Sequence, residues 1–206
     1  MKEEVHDKLK TIKQSFRSMM NGPASASMRD KGMAYKINWG VALPLLRQMA
    51  AEYGKDYDLA IELWKQNIRE CQILATMIMP AEKMLPEVAE IWMEQTHTQE
   101  LAEVAALNLY QYLPYAPAMA YRWMAMTGAF YQIAAYHILG RLFARKIEPN
   151  ELGINEFLDQ VAVALRDDNL GVRHAAYNCL CRFEELGDDY AQIATKALRA
   201  QGVDLG

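Results

Sequence analysis

Apolar residues recur along the chain with helical spacing, and no stretch alternates long enough to form a strand. Residues 3–20 place Val5, Leu9, Ile12 and Phe16 on one stripe, as an amphipathic helix does. Further helices are predicted at 44–53, after a cap at Asp56, and at 69–79, 83–95, 99–112, 117–126, 129–146, 155–166, 171–186 and 188–201. Thr98 is expected to be the N-cap of the helix at 99–112. The pattern therefore predicts an all-α protein.

Two interruptions separate the first predicted helices. Asn21-Gly22-Pro23 is expected to stop the first helix, with Ser25 or Ser27 capping a short turn after it. The segment 35–41 is predicted to be an irregular apolar linker.

The helical pattern repeats. Ala134-Ala135-Tyr136 recurs at Ala175-Ala176-Tyr177, 41 residues later, and Arg141 and Arg182 follow at the same offset. Fainter copies lie at 72–78 and 103–109. Self-similarity with a period of roughly 30–45 residues is typical of stacked helix pairs, whose second helices build a concave face. We expect functional residues on that face.

The length of 206 residues fits one domain. The boundaries predicted within it are an N-terminal helical extension at 1–32, a repeat array at 33–186 and a C-terminal capping helix at 187–206. The charged N-terminus has no signal-peptide pattern and no apolar run reaches membrane-spanning length, so a cytoplasmic protein is expected.

Charge is distributed unevenly along the chain, whose net charge is −4. Residues 1–47 carry nine Lys or Arg and four Asp or Glu, whereas residues 48–104 carry four and eleven. A net negative charge disfavours nucleic acid, so phosphate contacts would have to come from the N-terminal segment or from local arginine clusters.

The sequence contains no pattern of a cofactor site. Cys71, Cys179 and Cys181 have no metal-ligand spacing and are expected to be buried free thiols. No phosphate-binding glycine loop or nucleophile elbow is present, so neither a metal nor a nucleotide cofactor is predicted. The 13 methionines are interpreted as core residues.

Several motifs together resemble a known family. Trp39-Gly40-Val41 followed by Pro44 and Arg47, then Leu63-Trp64, then Arg69-Glu70 opening an apolar helix, are similar to landmarks of the AlkD-like DNA alkylation repair proteins. These proteins belong to the HEAT-like repeat DNA glycosylase superfamily. The resemblance covers roughly residues 33–185, and the segment 20–41 also resembles a compact bacterial subgroup.

The resemblance implies a C-shaped α-solenoid that holds duplex DNA in a concave groove. Active members excise positively charged N-alkylated purines. Their cleft carries two Trp and one Asp, helped by an Arg, and the aromatic rings face the cationic nucleoside. The carboxylate stabilises the sugar cation that develops as the N-glycosidic bond breaks.

This catalytic set is mostly missing here. The first Trp and the Asp fall within 98–103, where Glu103 is the nearest carboxylate and Gln99 the nearest groove position, although a shift of one residue would place Ala102 at the Asp position. The Arg falls on Ile133 and the second Trp on Asn178. Enzyme activity is therefore expected to be weak, altered or lost, with Glu103 the only catalytic candidate.

The acidic pair Glu100 and Glu103 lies one turn apart on the helix predicted at 99–112. Two interpretations remain open. The pair can stabilise a cation or act as a base, or it can be a solvated acidic surface.

Basic residues cluster in the last two repeats. Arg141, Arg145 and Lys146 in one repeat correspond roughly to Arg173, His174 and Arg182 in the next. They are expected to form a phosphate track on DNA, or else ordinary ion pairs between repeats. The residues expected to line the groove are Gln99, Ile133, Tyr136, His137, Tyr177 and Asn178.

Two functions follow as hypotheses. The first is binding of duplex DNA, alkylated or not, by a DNA alkylation repair protein with a degraded active site. The second is a non-catalytic HEAT-repeat scaffold that binds a protein or peptide, which the acidic segment 48–104 favours. The oligomeric state is left open.

Overall fold

The computed structural model describes residues 3–203. Within that range the chain forms twelve α-helices, two short 3-10 helices and one isolated β-bridge between Ile37 and Ile68. Backbone contacts divide it into two compact units, unit 1 up to Pro114 and unit 2 from Tyr115 onward. The prediction of an all-α protein is confirmed.

Each unit is a succession of short helices. Unit 1 contains α1 (Glu3–Ser18), α2 (Gly22–Asp30), α3 (Leu43–Tyr53), α4 (Tyr57–Trp64), α5 (Arg69–Ile78), a 3-10 helix (Ala81–Lys83), α6 (Pro86–Glu94), α7 (Gln99–Asn108) and a second 3-10 helix (Tyr110–Tyr112). Unit 2 contains α8 (Ala116–Met124), α9 (Ala129–Ala144), α10 (Glu151–Ala164), α11 (Leu170–Glu184) and α12 (Asp188–Ala200). Residues 1–2 and 204–206, the ends of the predicted extension and capping helix, lie outside the described residues.

The segment after α1 differs from its prediction. Asn21-Gly22-Pro23 ends α1, but it also begins α2, which was predicted as a short turn. The side chain of Asn21 caps α2 by accepting a hydrogen bond from the amide of Ala24 at 3.0 Å. Pro23 is compatible with this start because the first turn of a helix has no intrahelical partner for its N–H groups.

Side-chain caps set the starts of several other helices. Asp56 accepts from the amide of Leu59 at 3.0 Å and Thr98 from that of Leu101 at 3.2 Å, both as predicted. Helix α10 begins four residues earlier than predicted, because Asn150 caps it by accepting from the amide of Gly153 at 2.8 Å.

The core of unit 1 is built around stacked indoles. Trp64 of α4 and Trp92 of α6 lie parallel, with ring centroids 4.1 Å apart, and both are buried. The indole N–H of Trp64 donates to the side chain of Gln95 at 2.7 Å. Trp39 is half-buried, with its ring centroid 5.8 Å from that of Phe16.

A glycine fixes the approach of α2 to the segment that follows it. Gly40 has a φ of 74°, and a Cβ added there would lie 2.3 Å from the carbonyl oxygen of Asn21. Any other residue would therefore be strained and would also clash with backbone. This explains the glycine of the Trp39-Gly40-Val41 motif.

The core of unit 2 is an aromatic cluster. Phe143, Phe157 and Phe183, from α9, α10 and α11, have ring centroids 5.0 to 5.5 Å apart, and Tyr190 of α12 joins them. Four helices thus share one apolar centre. Every helix within residues 3–203 is too short or too polar to cross a membrane.

Candidate nucleic-acid interface

Two repeated helices of unit 2, α9 and α11, enclose a groove of about 450 Å³. We call it the α9–α11 groove. Residues predicted at the site make up much of its lining, together with two cysteines, an acidic residue and small residues: Tyr136, His137, Gly140, Arg141, Ala144, Ala175, Asn178, Cys179, Cys181, Arg182 and Glu185. The 41-residue repeat therefore brings equivalent residues of two helices to one surface.

Close packing of the two helices forms the floor of the groove. Gly140 is buried, and a Cβ added there would lie 3.6 Å from the Cα of Cys179. Ala175, which also lines the groove, is buried as well. Arg141 follows Gly140 directly, and Arg141 and Arg182 are both exposed residues of the groove lining.

The two arginines differ in their partners. Arg141 is exposed and makes no ion pair or hydrogen bond within the described range. Arg182 pairs with Glu185 at 2.7 Å, and both side chains are more than half exposed. Exposed pairs of this kind contribute little to stability, so Arg182 can exchange Glu185 for another anion.

The floor of the groove contributes no negative charge at neutral pH. Tyr136 is 1% exposed, and burial raises the pKa of its hydroxyl above the ordinary value. Burial also raises the pKa of the Cys179 thiol well above its usual range. Both groups therefore stay protonated, and Glu185 is the only carboxylate in the lining against two arginines.

Other cations of the predicted phosphate track do not line this groove. The guanidinium of Arg173 donates to the backbone carbonyls of Asp167 and Asp168, which fixes the turn before α11. The ammonium of Lys146 donates to the carbonyl of Glu185. The prediction that Arg173 and Lys146 belong to a phosphate track is therefore corrected, because both side chains are hydrogen-bonded to backbone carbonyls. Arg145 and His174 are exposed outside the groove.

Two residues predicted to line the groove lie elsewhere. Ile133 is 1% exposed and packs in the core, as a hydrophobic residue on the inner face of α9 does. Tyr177 is 49% exposed but is not part of the α9–α11 groove. The equivalent positions Tyr136 and Tyr177 thus have different surroundings, because Tyr136 is buried and lines the groove whereas Tyr177 is exposed outside it.

The predicted acidic pair in unit 1 is divided between two roles. Glu100 is the partner of Arg69, which donates to its two carboxylate oxygens at 2.6 and 2.8 Å. Glu103 is half-buried and accepts a hydrogen bond from the side chain of Gln99 at 2.7 Å. Ala102, the alternative at the family's Asp position, is fully buried. The pair therefore does not act as one acidic site.

A buried ion network underlies the motif residues of unit 1. Arg69 is 1% exposed and Glu70 is 0% exposed. Glu70 accepts from the backbone amides of Trp39 and Val41, and Arg69 also donates to Glu70 at 3.1 Å and to the carbonyl of Val41 at 3.0 Å. Burial alone would lower the pKa of Arg69, but the carboxylates of Glu100 and Glu70 hold it above its ordinary value.

The sequence analysis identified motifs that belong to this network but did not predict the network itself. Trp39-Gly40-Val41 and Arg69-Glu70 were recognised as landmarks, and the structure shows that the second binds the backbone of the first. The pairing of Glu100 with Arg69 was not predictable from the sequence, because an acidic residue in the first turn of a helix is equally common on a solvated surface.

None of the four tryptophans is exposed. Trp64, Trp92 and Trp123 are buried, and Trp39 is half-buried against Phe16. Of the cysteines, Cys71 and Cys179 are buried as predicted, whereas Cys181 is half-buried in the groove lining, which corrects its prediction. No cluster of His, Cys, Asp or Glu among residues 3–203 could hold a metal ion.

Comparison with known proteins gives the family and the fold. The solved structure that the chain matches, with a TM-score of 0.79 and 18% identity over 92% of this chain and 83% of that one, is from "a new family of proteins related to the HEAT-like repeat DNA glycosylases with affinity for branched DNA structures". This confirms the prediction of a HEAT-like repeat fold. No curated protein matches the chain. A model of the family described as "DNA alkylation repair enzyme" matches residues 12–198, so the chain belongs to that family.

Proposed function

We propose that this protein binds duplex DNA, including branched DNA, through the α9–α11 groove. The observation that carries the proposal is the pair of repeat-equivalent arginines on one groove. Among residues 3–203, Arg141 has no ion-pair partner and Arg182 pairs only with an exposed carboxylate. Guanidinium groups bind phosphate with a fixed fork of donors, which suits them to a nucleic-acid backbone.

The groove is locally basic although the chain is acidic overall. Its floor is neutral because Tyr136 and Cys179 remain protonated. Binding of this kind depends on phosphate contacts and on release of counterions, so it requires a local cluster of cations and not a positive net charge. The similar solved protein has affinity for branched DNA, which supports the choice of ligand.

We further propose that excision of N-alkylpurines is weak or lost. The family's first cleft tryptophan falls within 98–103, where no tryptophan is present, and the second falls on Asn178. The tryptophans that are present are packed within the fold. A cation–π contact contributes roughly 0.5–2 kcal/mol. A preorganised charge beside the developing cation contributes roughly 3–4 kcal/mol. Loss of both rings and of the Arg therefore predicts a rate lower by several powers of ten.

Glu103 is the one group from which residual chemistry is expected. Its carboxylate is half-buried, and the hydrogen bond from Gln99 orients it. This arrangement is compatible with stabilising a sugar cation, but the stretch 98–103 contains no tryptophan.

Binding is tested with the double variant Arg141→Gln/Arg182→Gln. Fluorescence anisotropy would measure its affinity for a labelled duplex and for a four-way junction over a range of salt concentrations. Each lost phosphate contact should reduce the slope of log Kd against log salt by about 0.9, so the double variant should reduce it by about 2. The Kd should rise by about 10- to 100-fold, the size of losing charge-assisted hydrogen bonds.

Arg199→Gln is the matched control, since Arg199 is an exposed arginine of the same unit on α12 and does not line the groove. Equal affinity of the double variant and the wild type would refute the groove as the DNA site. An affinity of the wild type for DNA that does not change with salt, or no affinity, would instead favour a protein or peptide as the ligand.

Excision is tested by release of free base from duplex DNA that carries N7-methylguanine or N3-methyladenine. We expect little or no release by the wild type with enzyme in excess, because the family's two tryptophans and its Arg are missing. Release that disappears in Glu103→Gln would contradict this expectation and identify Glu103 as a catalytic residue in a rebuilt cleft.

A further inference from the structure

Unit 1 contains a second concave site that the proposed DNA interface does not use. A pocket of about 330 Å³ lies where the segment 34–36 meets the first turns of α5 and α7. This volume is at the lower end of the range for small-molecule sites. The pocket is lined by Ala34, Tyr35, Lys36, Asn67, Gln72, Gln95, His97, Thr98 and Leu101. We call it the Gln72 pocket.

Gln72 is the feature that indicates a ligand. It is 4% exposed, and its carboxamide has no hydrogen-bond partner within the described residues. The amide atoms are not among the fully buried polar atoms that lack a partner, so they reach the open space of the pocket. Polar side chains of largely buried residues are normally hydrogen-bonded within the protein, which makes this amide unusual. Because Gln72 lines the pocket, a ligand there can supply the missing donor and acceptor.

The pocket walls suit a flat ring. The hydroxyl of Tyr35 donates to Glu100 at 2.8 Å and accepts from Thr98 at 2.8 Å, so both bonds hold the phenol in place. Its aromatic surface is what remains for a ligand. Leu101 and Ala34 add apolar surface. Aromatic and apolar walls beside a carboxamide are the combination that proteins use for nucleobases, which have apolar faces and polar edges.

The rim of the pocket carries a cation. Lys36 is exposed and makes no ion pair or hydrogen bond in the part of the chain that the structure describes. An ammonium at the mouth of a base-sized pocket is suited to the phosphate that adjoins a nucleobase. Asn67 provides a further amide at the mouth.

We propose that the Gln72 pocket binds a nucleobase, with Gln72 pairing with its polar edge, Tyr35 contacting its face and Lys36 binding the adjoining phosphate. The base comes either from an unpaired nucleotide of bound DNA, an assignment that rests on the proposed function, or from a free nucleotide. In the first case the pocket distinguishes branched or bulged DNA from a fully paired duplex.

The test uses two probes. One is a duplex with a single unpaired 2-aminopurine, compared with the same duplex in which 2-aminopurine is paired with thymine. The other is deoxyadenosine 5′-monophosphate, followed by NMR shifts of the backbone amides at 34–36 and 97–101. We expect the wild type to bind the unpaired probe about tenfold more tightly than the paired one, the size of a buried hydrogen bond plus stacking.

Gln72→Met keeps a side chain of similar length and removes the amide. It should abolish the preference for the unpaired probe and the shifts caused by the mononucleotide. The midpoint of thermal unfolding should change little, because the amide makes no hydrogen bond within the described residues that the variant would lose. Gln48→Met is the control, since Gln48 is exposed on α3 of the same unit and outside the pocket. It should leave both signals unchanged.

The outcomes distinguish an unpaired nucleotide of DNA from a free nucleotide as the source of the base. They also distinguish failure of the Gln72 pocket from failure of the α9–α11 groove. Mononucleotide shifts without a preference between the DNA probes identify a free nucleotide as the ligand. No response to either probe, or responses that persist in Gln72→Met, overturn the proposal. Unchanged affinity of the paired duplex for Arg141→Gln/Arg182→Gln would refute the groove alone, because the mononucleotide arm does not depend on it.

Discussion

Arg69 in unit 1 and Arg141 in unit 2 both lie on largely apolar helices, yet they have opposite environments. Arg69 begins α5, is buried, and binds two carboxylates and a backbone carbonyl. Arg141 lies near the end of α9, is exposed and has no ion-pair partner in the described range. The first arginine joins segments of the fold, whereas the second is available to a ligand.

The difference extends to the cores of the two units. Unit 1 joins the segment 35–41 to α5 and α7 through buried polar bonds, whereas unit 2 joins four helices through aromatic rings. A buried ion network requires every partner, because one charge left alone is very costly. An aromatic core tolerates changes of shape better. Unit 2 can therefore place its cations at the surface without weakening its core.

The largest expected effect is on the buried network. Arg69→Met should lower the free energy of unfolding by about 3–5 kcal/mol, because Glu70 and Glu100 lose their buried cation. Chemical denaturation measures this change. The matched variant Arg141→Met should change stability by less than about 0.5 kcal/mol. Equal effects of the two variants would remove the contrast between the two arginines.

The second effect is a loss of stability at alkaline pH, and we expect it from buried thiols in both units. Burial raises the pKa of the Cys71 thiol in unit 1 to about 12, and burial also raises that of Cys179 in unit 2. The unfolded chain loses these protons near pH 9 while the folded chain keeps them. Their contribution to stability is therefore complete below pH 9 and is lost as the pH rises toward 12, by about 1.4 kcal/mol per pH unit for each thiol.

Urea denaturation at several values of pH measures this slope. Cys71→Ala should reduce the slope between pH 9 and 12 by about 1.4 kcal/mol per pH unit, whatever it does to stability at neutral pH. The pKa values of Tyr35, Tyr121 and Tyr136 are also raised by burial, and these residues add to the loss above pH 10. A slope that the variant leaves unchanged would show that Cys71 ionises similarly in both states.

A smaller effect is expected in the aromatic core of unit 2. Phe157 is fully buried between Phe143 and Phe183. Phe157→Leu should cost less than about 1.5 kcal/mol, because a hydrophobic residue of similar volume can repack. Thermal unfolding would measure it, with Leu152→Ala, at a 77% exposed position of the same helix, as the control. A loss of stability equal to that caused by Arg69→Met would show that the two cores tolerate substitution equally poorly.

The smallest effect on stability is expected from modification of a thiol in the groove. Cys181 is half-buried, whereas Cys71 and Cys179 are buried. A maleimide at neutral pH should therefore label one thiol in the native protein and three in denaturant, which mass spectrometry counts. Labelling should change stability by less than about 0.5 kcal/mol, as surface changes do, and should weaken DNA binding by obstructing the groove. Labelling of Cys179 as well would show that the α9–α11 packing opens readily.

Local patterns predicted most of the helices, because helix periodicity and caps depend on neighbouring residues. Asp56 and Thr98 cap helices as expected. The error at α2 has the same local origin, since Asn21-Gly22-Pro23 is equally suited to stopping one helix and starting the next. The repeat of Ala134-Ala135-Tyr136 predicted that α9 and α11 are related, and they do pack against each other.

The candidate site was predicted only in part. His137, Arg141, Asn178 and Arg182 line one groove, but Ile133 is in the core and Arg173 is bound to backbone carbonyls. A residue's position in a repeat gives its place along a helix. It does not give the burial of that place, which differs for Tyr136 and Tyr177.

The sequence by itself determined the all-α class, most helix boundaries and the relation of the repeated helices, because these follow from interactions within a few turns. It also carried the motifs that resemble the family. Only the tertiary structure decided which charges are buried and which are available. Glu100 and Arg69 are 31 positions apart in the chain, and their pairing depends on how α5 and α7 pack. The unpartnered amide of Gln72 likewise becomes apparent only when the segment 34–36 and α7 surround it.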